Sequence, residues 1–336
     1  MAQFEIAKDR IITVFGGSGF LGRYVVRALA QRGWRVRVAS RRPDLAFHLQ
    51  PLGRVGQIHA VQANLRYPAS LAAAMQGSEA VVNLVGILSE TGRQNFEAVH
   101  AFGTRAVARA ARDHGIRTMV QISALGADAG SASVYARTKA EAETAAREAL
   151  PDTTVIRPSI LFGPEDDFFN RFAALARIAP ALPLIAGGKT RFQPAYVGDV
   201  AEAVAKVLEG VGQPGATYEL GGPEVLTFRQ IMAYICAETH RKRLLLPISA
   251  GLAYYPAMLS EIANGLALGA LPSAFQLTRD QLKLLERDNV VSNDAESANL
   301  TFAGLGIQPQ TVEAIAPTYL YRFRKTGQFD RTREVV

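Results

Sequence analysis

Three residues near the middle of the chain have side chains suited to acid–base chemistry. Tyr135 and Lys139 are four residues apart, so they project from the same face of a helix. A lysine ammonium beside a phenol stabilises the phenolate, so we expect Lys139 to lower the pKa of Tyr135 and make it an acid or a base. Ser123, twelve residues upstream of Tyr135, could hold a substrate carbonyl or hydroxyl against the phenol. The alternative is a surface Tyr–Lys pair without chemistry.

A glycine-rich stretch near the start of the chain predicts a cofactor site. The apolar run 11–15 is typical of a buried parallel strand, and residues 20–29 have helical spacing. Three glycines are spaced G-x-x-G-x-x-G here: Gly16 and Gly19 lie between the strand and the helix, and Gly22 lies in the first turn of the helix. We expect Gly16 to make the turn, Gly19 to admit a dinucleotide pyrophosphate to the helix N-terminus, and Gly22 to let the helix pack closely on the strand. An ordinary glycine-rich loop is the alternative.

Basic residues follow the second predicted strand, which spans residues 34–40. In a dinucleotide-binding sheet, this strand end meets the adenosine ribose, where an acidic residue would bind a free 2′-hydroxyl. This chain has Ser40, Arg41 and Arg42 there instead. Guanidinium groups beside a hydroxyl suit a 2′-phosphate. The sequence therefore predicts NADPH rather than NADH, against the alternative of a solvated arginine pair.

The remaining elements alternate between strand and helix. Further strands are predicted over 58–62, 80–86 and 118–123, and a long helix over 95–113. This alternation predicts an α/β fold with a Rossmann-type doubly wound parallel sheet and a smaller C-terminal α+β lobe. The predicted division is a nucleotide-binding domain over 1–158 with returning segments around 190–222, a mainly substrate or docking lobe over 159–318, and a basic aromatic tail over 319–336.

Composition narrows the classes of partner. The chain has 336 residues, 49% of them hydrophobic, and a formal net charge of +7. Residues 1–150 hold 19 lysines and arginines against 11 acidic residues, whereas residues 151–336 hold 18 against 19. The positive half contains the glycine loop, which favours an anionic cofactor or an acidic protein surface. Nucleic acid is disfavoured, because that half has no recognisable nucleic-acid-binding motif.

Cysteine and histidine usage points to a protein without disulfides or metal. Cys236 is the only cysteine, which excludes an intrachain disulfide and favours a reducing compartment. The first strand begins near Ile11, so we expect no signal or transit peptide ahead of it. His100 and His114 lack a second ligand at metal spacing, and we expect them to be structural or surface residues.

The glycine loop and the three acid–base residues together resemble the extended short-chain dehydrogenase/reductase superfamily. Residues 157–164, 192–201 and 218–222 are similar to later segments of that superfamily. The resemblance implies that a substrate lobe follows the sixth strand and that Pro158 lies near the nicotinamide. Ser123, Tyr135 and Lys139 would be the catalytic residues, with Lys139 also bonding the nicotinamide ribose. The full predicted cofactor-binding set is Gly16, Ser18, Gly19, Phe20, Leu21, Gly22, Ser40, Arg41, Arg42, Asn64, Leu65, Val85, Gly86, Tyr135, Lys139 and Pro158.

Two positions depart from the pattern of the superfamily. Asn64 stands where many members have an aspartate against the adenine amine, although its side-chain oxygen can still accept that bond. His100 stands where many members have an asparagine, which weakens any assignment of a proton relay. Neither departure removes cofactor binding.

A narrower resemblance rests on residues 99–103, 162–170, 277–281, 288–291 and 319–324. These segments are similar to the NADPH-binding accessory subunit of respiratory complex I, in its bacterial form. The resemblance implies NADPH held as a structural cofactor without established turnover, with vestigial catalytic residues. It also implies complex I subunits near the quinone module as partners, lipid headgroups as a further contact, no nucleic acid, and a peripheral position on the cytoplasmic face of the bacterial inner membrane.

Two other functions stay open at this point. One is an active NADP(H)-dependent reductase, epimerase or hydroxysteroid-type dehydrogenase that uses Ser123, Tyr135 and Lys139. The other is a redox-sensing regulator, which the intact Tyr135 and Lys139 disfavour. Residues 241–275 begin with three cations and continue as an apolar run broken by prolines, so we expect a membrane-surface or protein contact, or the wall of a substrate lobe. From residue 319 onward we expect an extended docking segment.

Overall fold

The computed structural model describes residues 10–92, 94–249, 251 and 278–329. They fall into two compact units, each assembled from separated stretches of the chain. Unit 1 consists of Met1–Pro158, Val197–Leu220 and Val291–Gln308. Unit 2 consists of Ser159–Tyr196, Gly221–Val290 and Pro309–Val336.

The elements are numbered in chain order over the described residues. The strands are β1 (Ile11–Phe15), β2 (Arg35–Ser40), β3 (Ile58–Gln62), β4 (Ala80–Asn83), β5 (Thr118–Ile122), β6 (Thr154–Pro158), β7 (Leu161–Phe162), β8 (Ala181–Ile185), β9 (Arg191–Phe192), β10 (Ala195–Tyr196), β11 (Thr217–Leu220), β12 (Leu226–Thr227) and β13 (Leu244–Ile248). The helices are α1 (Phe20–Gln31), α2 (Pro68–Met75), α3 (Phe102–Asp113), α4 (Val134–Ala149), α5 (Phe168–Ile178), α6 (Val197–Leu208), α7 (Phe228–Glu238), α8 (Arg279–Leu285), α9 (Asn293–Ser297), α10 (Val312–Ile315) and α11 (Pro317–Leu320).

Unit 1 is built on a sheet that has seven strands in the described residues, in the order β11-β6-β5-β4-β1-β2-β3. Every neighbouring pair is parallel. The central strands are short apolar runs that are buried on both faces, as parallel strands between helix layers must be. The strand order reverses between β1 and β4, beside the glycine loop, which is where such sheets bind their ligands. The predicted Rossmann-type α/β fold is confirmed.

Two predicted elements of unit 1 have different limits in the structure. The strand expected over 80–86 ends at Asn83, because the Asn83 amide donates to Gln121 Oε1 (2.8 Å) and its Oδ1 accepts from the Val85 N–H (3.2 Å). The helix expected over 95–113 contains a π-helical turn at Glu97–Ala101 before α3 begins. Such turns widen a helix locally and are frequent at functional sites.

Unit 2 has an aromatic core. Phe168 contacts Phe169, Phe172, Phe192 and Phe228, with ring centroids 5.2–6.2 Å apart. These are the separations of offset and edge-to-face aromatic pairs, which add to the free energy gained by burial. Helices α5 and α7 supply the largest shares of this core, and strands β7, β8 and β9 contribute further buried side chains to it.

The first part of the C-terminal segment belongs to this core. Tyr319 and Phe323 are 3% and 9% exposed, and the Tyr319 hydroxyl donates to Asp166 Oδ2 (2.7 Å). The expectation of an extended segment is therefore wrong for its described start, which forms α11 and the 3₁₀ turn Tyr321–Phe323. The side chains of Tyr319 and Phe323 fill the core of unit 2. Residues 330–336 lie outside the described residues.

Most of the predicted apolar segment 241–275 also lies outside the described residues. Its start forms β13, which pairs in parallel with β8. Two of its three cations bond backbone carbonyls, since Arg241 donates to Phe323 O (3.1 Å) and Arg243 to Ala176 O (2.7 Å). In the part of the chain that the structure describes, no helix has the length and apolarity needed to cross a membrane.

Candidate functional site

The glycine loop joins β1 to α1 through backbone that only glycine tolerates. Gly16 has φ +77°, and its carbonyl accepts from the Gly19 N–H (3.0 Å). A Cβ added to Gly22 would lie 2.4 Å from Gly16 O, so the helix can pack on the strand end only with glycine there. Gly19 precedes the helix and offers no side chain to cap it. The free N–H groups in the first turn of α1 and the positive end of the α1 dipole therefore form a cradle for an anion.

The neighbouring predicted residues of this loop lie around that cradle. Ser18 and Phe20 are half-buried, Gly19 is exposed, and Leu21 is buried against the sheet. Leu21 thus anchors the helix, while the loop backbone stays accessible.

The end of β2 carries the predicted phosphate-binding residues, and they are not equivalent. Arg42 is paired with Asp44 (2.8 Å), although both side chains are more than half exposed. This arginine holds the pKa of the Asp44 carboxyl below its usual value. Within the described residues, Arg41 makes no hydrogen bond or ion pair, and it is exposed. Ser40 Oγ accepts from the Arg42 N–H (3.3 Å), which fixes the turn. Arg41 is the more available cation, and Asp44 is a participant that the sequence reasoning missed.

Asn64 and Leu65 follow β3 at the same edge of the sheet. Asn64 Oδ1 accepts from the Arg66 N–H (3.1 Å), so one of its lone pairs is already used and the other can serve an adenine amine. Leu65 packs against α3, where a Cβ on Gly103 would lie 2.6 Å from its Cδ1. Gly103 therefore determines the position of Leu65.

Helix α4 positions Tyr135 and Lys139. Ser133 caps the helix by accepting from the Ala136 N–H (3.3 Å), which puts Tyr135 in the first turn and Lys139 one turn later. The Lys139 ammonium lies 5.8 Å from the Tyr135 ring centroid and donates to Ile122 O (3.4 Å). A Cβ on Gly86 would lie 3.2 Å from Lys139 Nζ. The structure thus brings Tyr135, Lys139 and Gly86 together.

The electrostatics of this pair differ from the expectation. Burial raises the pKa of Tyr135 to about 12, so the predicted lowering by Lys139 is wrong for this structure. Burial also lowers the pKa of Lys139 to about 8, opposed by the carboxylate of Glu143. The free-energy penalty for removing the phenolate from water is larger than the electrostatic stabilisation that a lysine gives at this distance. Sequence spacing contains no information on that desolvation.

Ser123 directly follows β5 and is buried, with 4% exposure. Its N–H donates to Ile156 O (2.8 Å), but its Oγ has no hydrogen-bond partner among the described residues. An unsatisfied buried hydroxyl costs about 1–3 kcal/mol, which is expected where a ligand completes the bond. Pro158 ends β6, is buried, and accepts from the Leu125 N–H (3.0 Å).

His100 is a site residue that the sequence reasoning left as structural or surface. It is 1% exposed and lies in the π-helical turn, against the ring of Tyr135 (5.4 Å between centroids). Phe96 and Thr138 also contact it and were not predicted. The only sequence signal was the departure of position 100 from the asparagine of many superfamily members. His114, by contrast, is exposed, and its Nδ1 bonds Ala110 O (2.8 Å).

These residues fit a nicotinamide dinucleotide. The glycine cradle suits a pyrophosphate, the cations after β2 suit a ribose phosphate, and the unpartnered Ser123 hydroxyl suits a polar group at the opposite end. In the described residues, no group of three or more His, Cys, Asp or Glu side chains could hold a metal ion.

Comparison with known proteins agrees with this geometry. The model of the NAD dependent epimerase/dehydratase family matches residues 12–221, which include the whole glycine loop and the Tyr135–Lys139 helix. The chain therefore belongs to this family, and it has the NAD(P)-binding Rossmann fold of short-chain dehydrogenase/reductases.

The curated relatives narrow the assignment. NADH dehydrogenase (ubiquinone) 1 alpha subcomplex subunit 9, mitochondrial, of Arabidopsis thaliana is 37% identical over 324 residues, which cover 94% of this chain and 79% of the relative. The NADH-ubiquinone oxidoreductase 40 kDa subunit of Neurospora crassa is 28% identical and covers 95% and 80%. Ceramide reductase of Caulobacter vibrioides is 35% identical over 175 residues, covering 52% and 54%. Within its family, the chain thus belongs with the alpha subcomplex subunit 9 proteins, and the predicted resemblance is confirmed.

Solved structures show the same fold. The NADPH-dependent quinone oxidoreductase QOR2 of Escherichia coli, complexed with NADPH, has a TM-score of 0.69 at 23% identity and covers 92% of this chain and 99% of its own. Triphenylmethane reductase of Citrobacter sp. has a TM-score of 0.71 at 18% identity, with the same coverage.

Proposed function

We propose that this protein is an accessory subunit of a respiratory complex I, an NADH:quinone oxidoreductase, and that it holds NADPH without turnover in its main role. The observation that carries the proposal is likeness to named complex I subunits along nearly the whole chain, at 28–37% identity over 94–95% of its residues. The similarity covers both units, not the nucleotide-binding unit alone. A relative that shared only the cofactor site would not show this extent.

The preference for NADPH rests on the end of β2. No acidic residue stands at Ser40–Arg41–Arg42 to accept bonds from a free 2′-hydroxyl, and the exposed Arg41 can bind a 2′-phosphate directly. The loop at Gly19, shaped by Gly16 and Gly22, would hold the pyrophosphate, and Lys139 would bond the nicotinamide-side ribose. The nicotinamide, when bound, would supply a hydride.

A holding role is also supported by the electrostatics at Tyr135. A phenol with a pKa of about 12 is a poor base near neutral pH and a weak acid. His100 beside it is neutral, and both of its ring nitrogens are already hydrogen-bonded within the protein. These two observations support a role in binding.

We further propose that the protein is peripheral, on the cytoplasmic face of a bacterial inner membrane. Its partners would be complex I subunits near the quinone module, with lipid headgroups as a further contact through the segment 241–275. The cations at its start and the apolar residues after them support this.

Affinity purification from native membranes in mild detergent tests the proposal. We expect stoichiometric NADH:quinone oxidoreductase subunits to co-purify, with NADPH in the denatured extract. Recovery of the protein alone would overturn the accessory-subunit assignment. NADH in place of NADPH would overturn only the assignment of the cofactor.

An NADP(H)-dependent reductase is the second candidate. It is favoured by the retained Ser123, Tyr135 and Lys139 and by the partial likeness to a ceramide reductase. The Tyr135→Phe variant separates the two functions, because it removes the phenol hydroxyl that would exchange a proton with a carbonyl while it keeps the ring packing. An accessory subunit should keep bound NADPH, assembly and respiration, whereas a reductase should lose turnover of its substrate.

A further inference from the structure

His100 joins two segments that converge on Lys139. The backbone N–H of Ile87, in the loop after β4, donates to His100 Nε2 (3.1 Å). On the other side of the ring, Nδ1 lies 3.0 Å from Thr138 Oγ1, and that hydroxyl donates to Tyr135 O (3.1 Å). One buried side chain therefore connects the loop after β4 to the first turns of α4.

The donors along this chain of hydrogen bonds determine the tautomer. A backbone N–H can only donate, so Nε2 must be the acceptor and the ring proton must be on Nδ1. Thr138 Oγ1 then accepts the hydrogen bond from the Nδ1–H of His100 and donates its own hydroxyl proton to Tyr135 O. Burial lowers the pKa of His100 to about 3, so the ring stays neutral. Every polar atom of the ring is satisfied.

Aromatic contacts hold the ring in this orientation. Phe96 stacks on His100, with centroids 5.5 Å apart and an interplanar angle of 27°. Tyr135 also contacts His100 in an edge-to-face arrangement, with centroids 5.4 Å apart and an interplanar angle of 87°. Phe96 and Tyr135 also contact each other at 5.7 Å, which closes a three-ring cluster. A ring held in this way has little freedom to tilt or flip.

The same cluster determines the space around the lysine. A Cβ on Gly86 would lie 3.2 Å from Lys139 Nζ and 3.6 Å from His100 Nε2, so the loop leaves no room for a side chain between the ring and the ammonium. A shift of the loop relative to α4 would move Gly86 against the ammonium. The bond from Ile87 to His100 prevents that shift.

We propose that His100 is a positioning residue for the nicotinamide half of the bound dinucleotide, because it holds the loop after β4 at a fixed distance from the helix that carries Tyr135 and Lys139. This inference rests on the NADPH binding proposed above. It predicts that His100 affects one end of the cofactor and not the other, since the described hydrogen bonds and ion pair of the β2 end are to its own turn and not to the cluster.

Two probes test this with the full-length chain: NADPH, and 2′,5′-ADP, which carries the adenosine with its 2′- and 5′-phosphates but lacks the nicotinamide half. His100→Leu removes both ring bonds at similar volume. We expect its dissociation constant for NADPH to rise about tenfold, the effect of one or two net hydrogen bonds, with that for 2′,5′-ADP unchanged. His100→Gln can keep the acceptor for Ile87, and His100→Asn can keep the donor to Thr138. Both should bind NADPH with affinities between those of the Leu variant and the wild type.

A second pair of variants covers the case in which His100→Leu does not fold. Thr138→Val removes one hydroxyl at constant shape, whereas Thr138→Ser keeps it. We expect Val to weaken NADPH binding and Ser to retain it. Equal losses for both probes in either series would mean a merely structural role and overturn the inference, as would unchanged NADPH binding. A wild-type chain that binds neither probe would overturn the proposed cofactor itself.

Discussion

The two ends of the predicted cofactor site are built in opposite ways. At the adenosine end, Arg41, Arg42 and Asp44 are on the surface, and one surface ion pair is the main fixed contact there. At the nicotinamide end, Ser123, His100 and Lys139 are each at most 5% exposed, and bonds among neighbouring segments position them. The exposed end can select a ligand by charge, which salt screens, whereas the buried end selects by geometry fixed before binding. In the predicted site the glycine loop lies between them, and we expect ligand binding at both ends to depend on it.

The largest effect is expected at this shared element. Gly22→Ala would force a Cβ to within 2.4 Å of Gly16 O, so the helix must move off the strand end. We expect affinity for NADPH and for 2′,5′-ADP to fall together, by about a hundredfold or more. Isothermal titration calorimetry measures both. Gly130→Ala is the control, because its Cβ would meet only Asp128 Oδ1, at an ordinary 3.6 Å. Tight binding by the Gly22→Ala variant would mean that the pyrophosphate does not lie on this loop.

The exposed end should determine the choice between cofactors. Arg41→Ala should weaken the binding of NADPH about thirtyfold and leave the binding of NADH unchanged. The thirtyfold change corresponds to the loss of a charge-assisted hydrogen bond of about 2 kcal/mol. Arg42→Ala should have a smaller effect, since Asp44 already holds that guanidinium. Titrations at low and high salt should show the difference shrinking as salt rises. Equal weakening of both cofactors would contradict a 2′-phosphate contact.

The buried end should respond to pH. The pKa of Lys139 is about 8, below its ordinary 10.5, so the unfolded chain binds more protons between these values. As pH rises above 8, Lys139 should therefore increase the free energy of unfolding. Over the same range the ammonium loses its charge, so NADPH affinity should fall by up to about tenfold between about pH 7 and pH 9. Binding of 2′,5′-ADP should not change with it. Lys139→Met provides the control, and a wild-type pH profile that matches this variant would exclude the ammonium from the site.

The smallest effect is expected at Ser123, and it is a gain. Its Oγ is buried without a partner in the described residues, so Ser123→Ala should raise the free energy of unfolding by about 1 kcal/mol. Urea denaturation of the unliganded chain measures this. Ser133→Ala should lower the free energy of unfolding by about 1 kcal/mol, because the Ser133 hydroxyl caps α4. A loss of stability in the Ser123→Ala variant would mean that the hydroxyl is satisfied in solution.

The fold was predictable because its signals are local. The strand of residues 11–15, the three glycines and the helix after them lie close together in the sequence, and the confirmed parallel sheet follows from the repetition of such units. The limits of β4 were not predictable, since they depend on the bond from Asn83 to Gln121, which comes from another strand.

The site was predictable in composition but not in energetics. The spacing of Tyr135 and Lys139 indicates a shared helix face, yet the pKa of each depends on burial by distant segments. His100 and Thr138 are 38 residues apart, so no local pattern joins them. Asp44 is only two residues from Arg42 in the sequence, but whether the two side chains pair depends on the geometry of the turn between them.

The order in which the sheet is completed has a consequence for synthesis. When the ribosome has released residue 158, six of the seven strands of unit 1 exist, and β6 forms an open edge of apolar residues. Its partner β11 is translated only with residues 217–220, after the first stretch of unit 2 (Ser159–Tyr196) and helix α6. An unpaired apolar edge invites association with other chains. The nascent protein thus has an interval in which β6 is open to other chains, and this interval ends when β11 pairs with it.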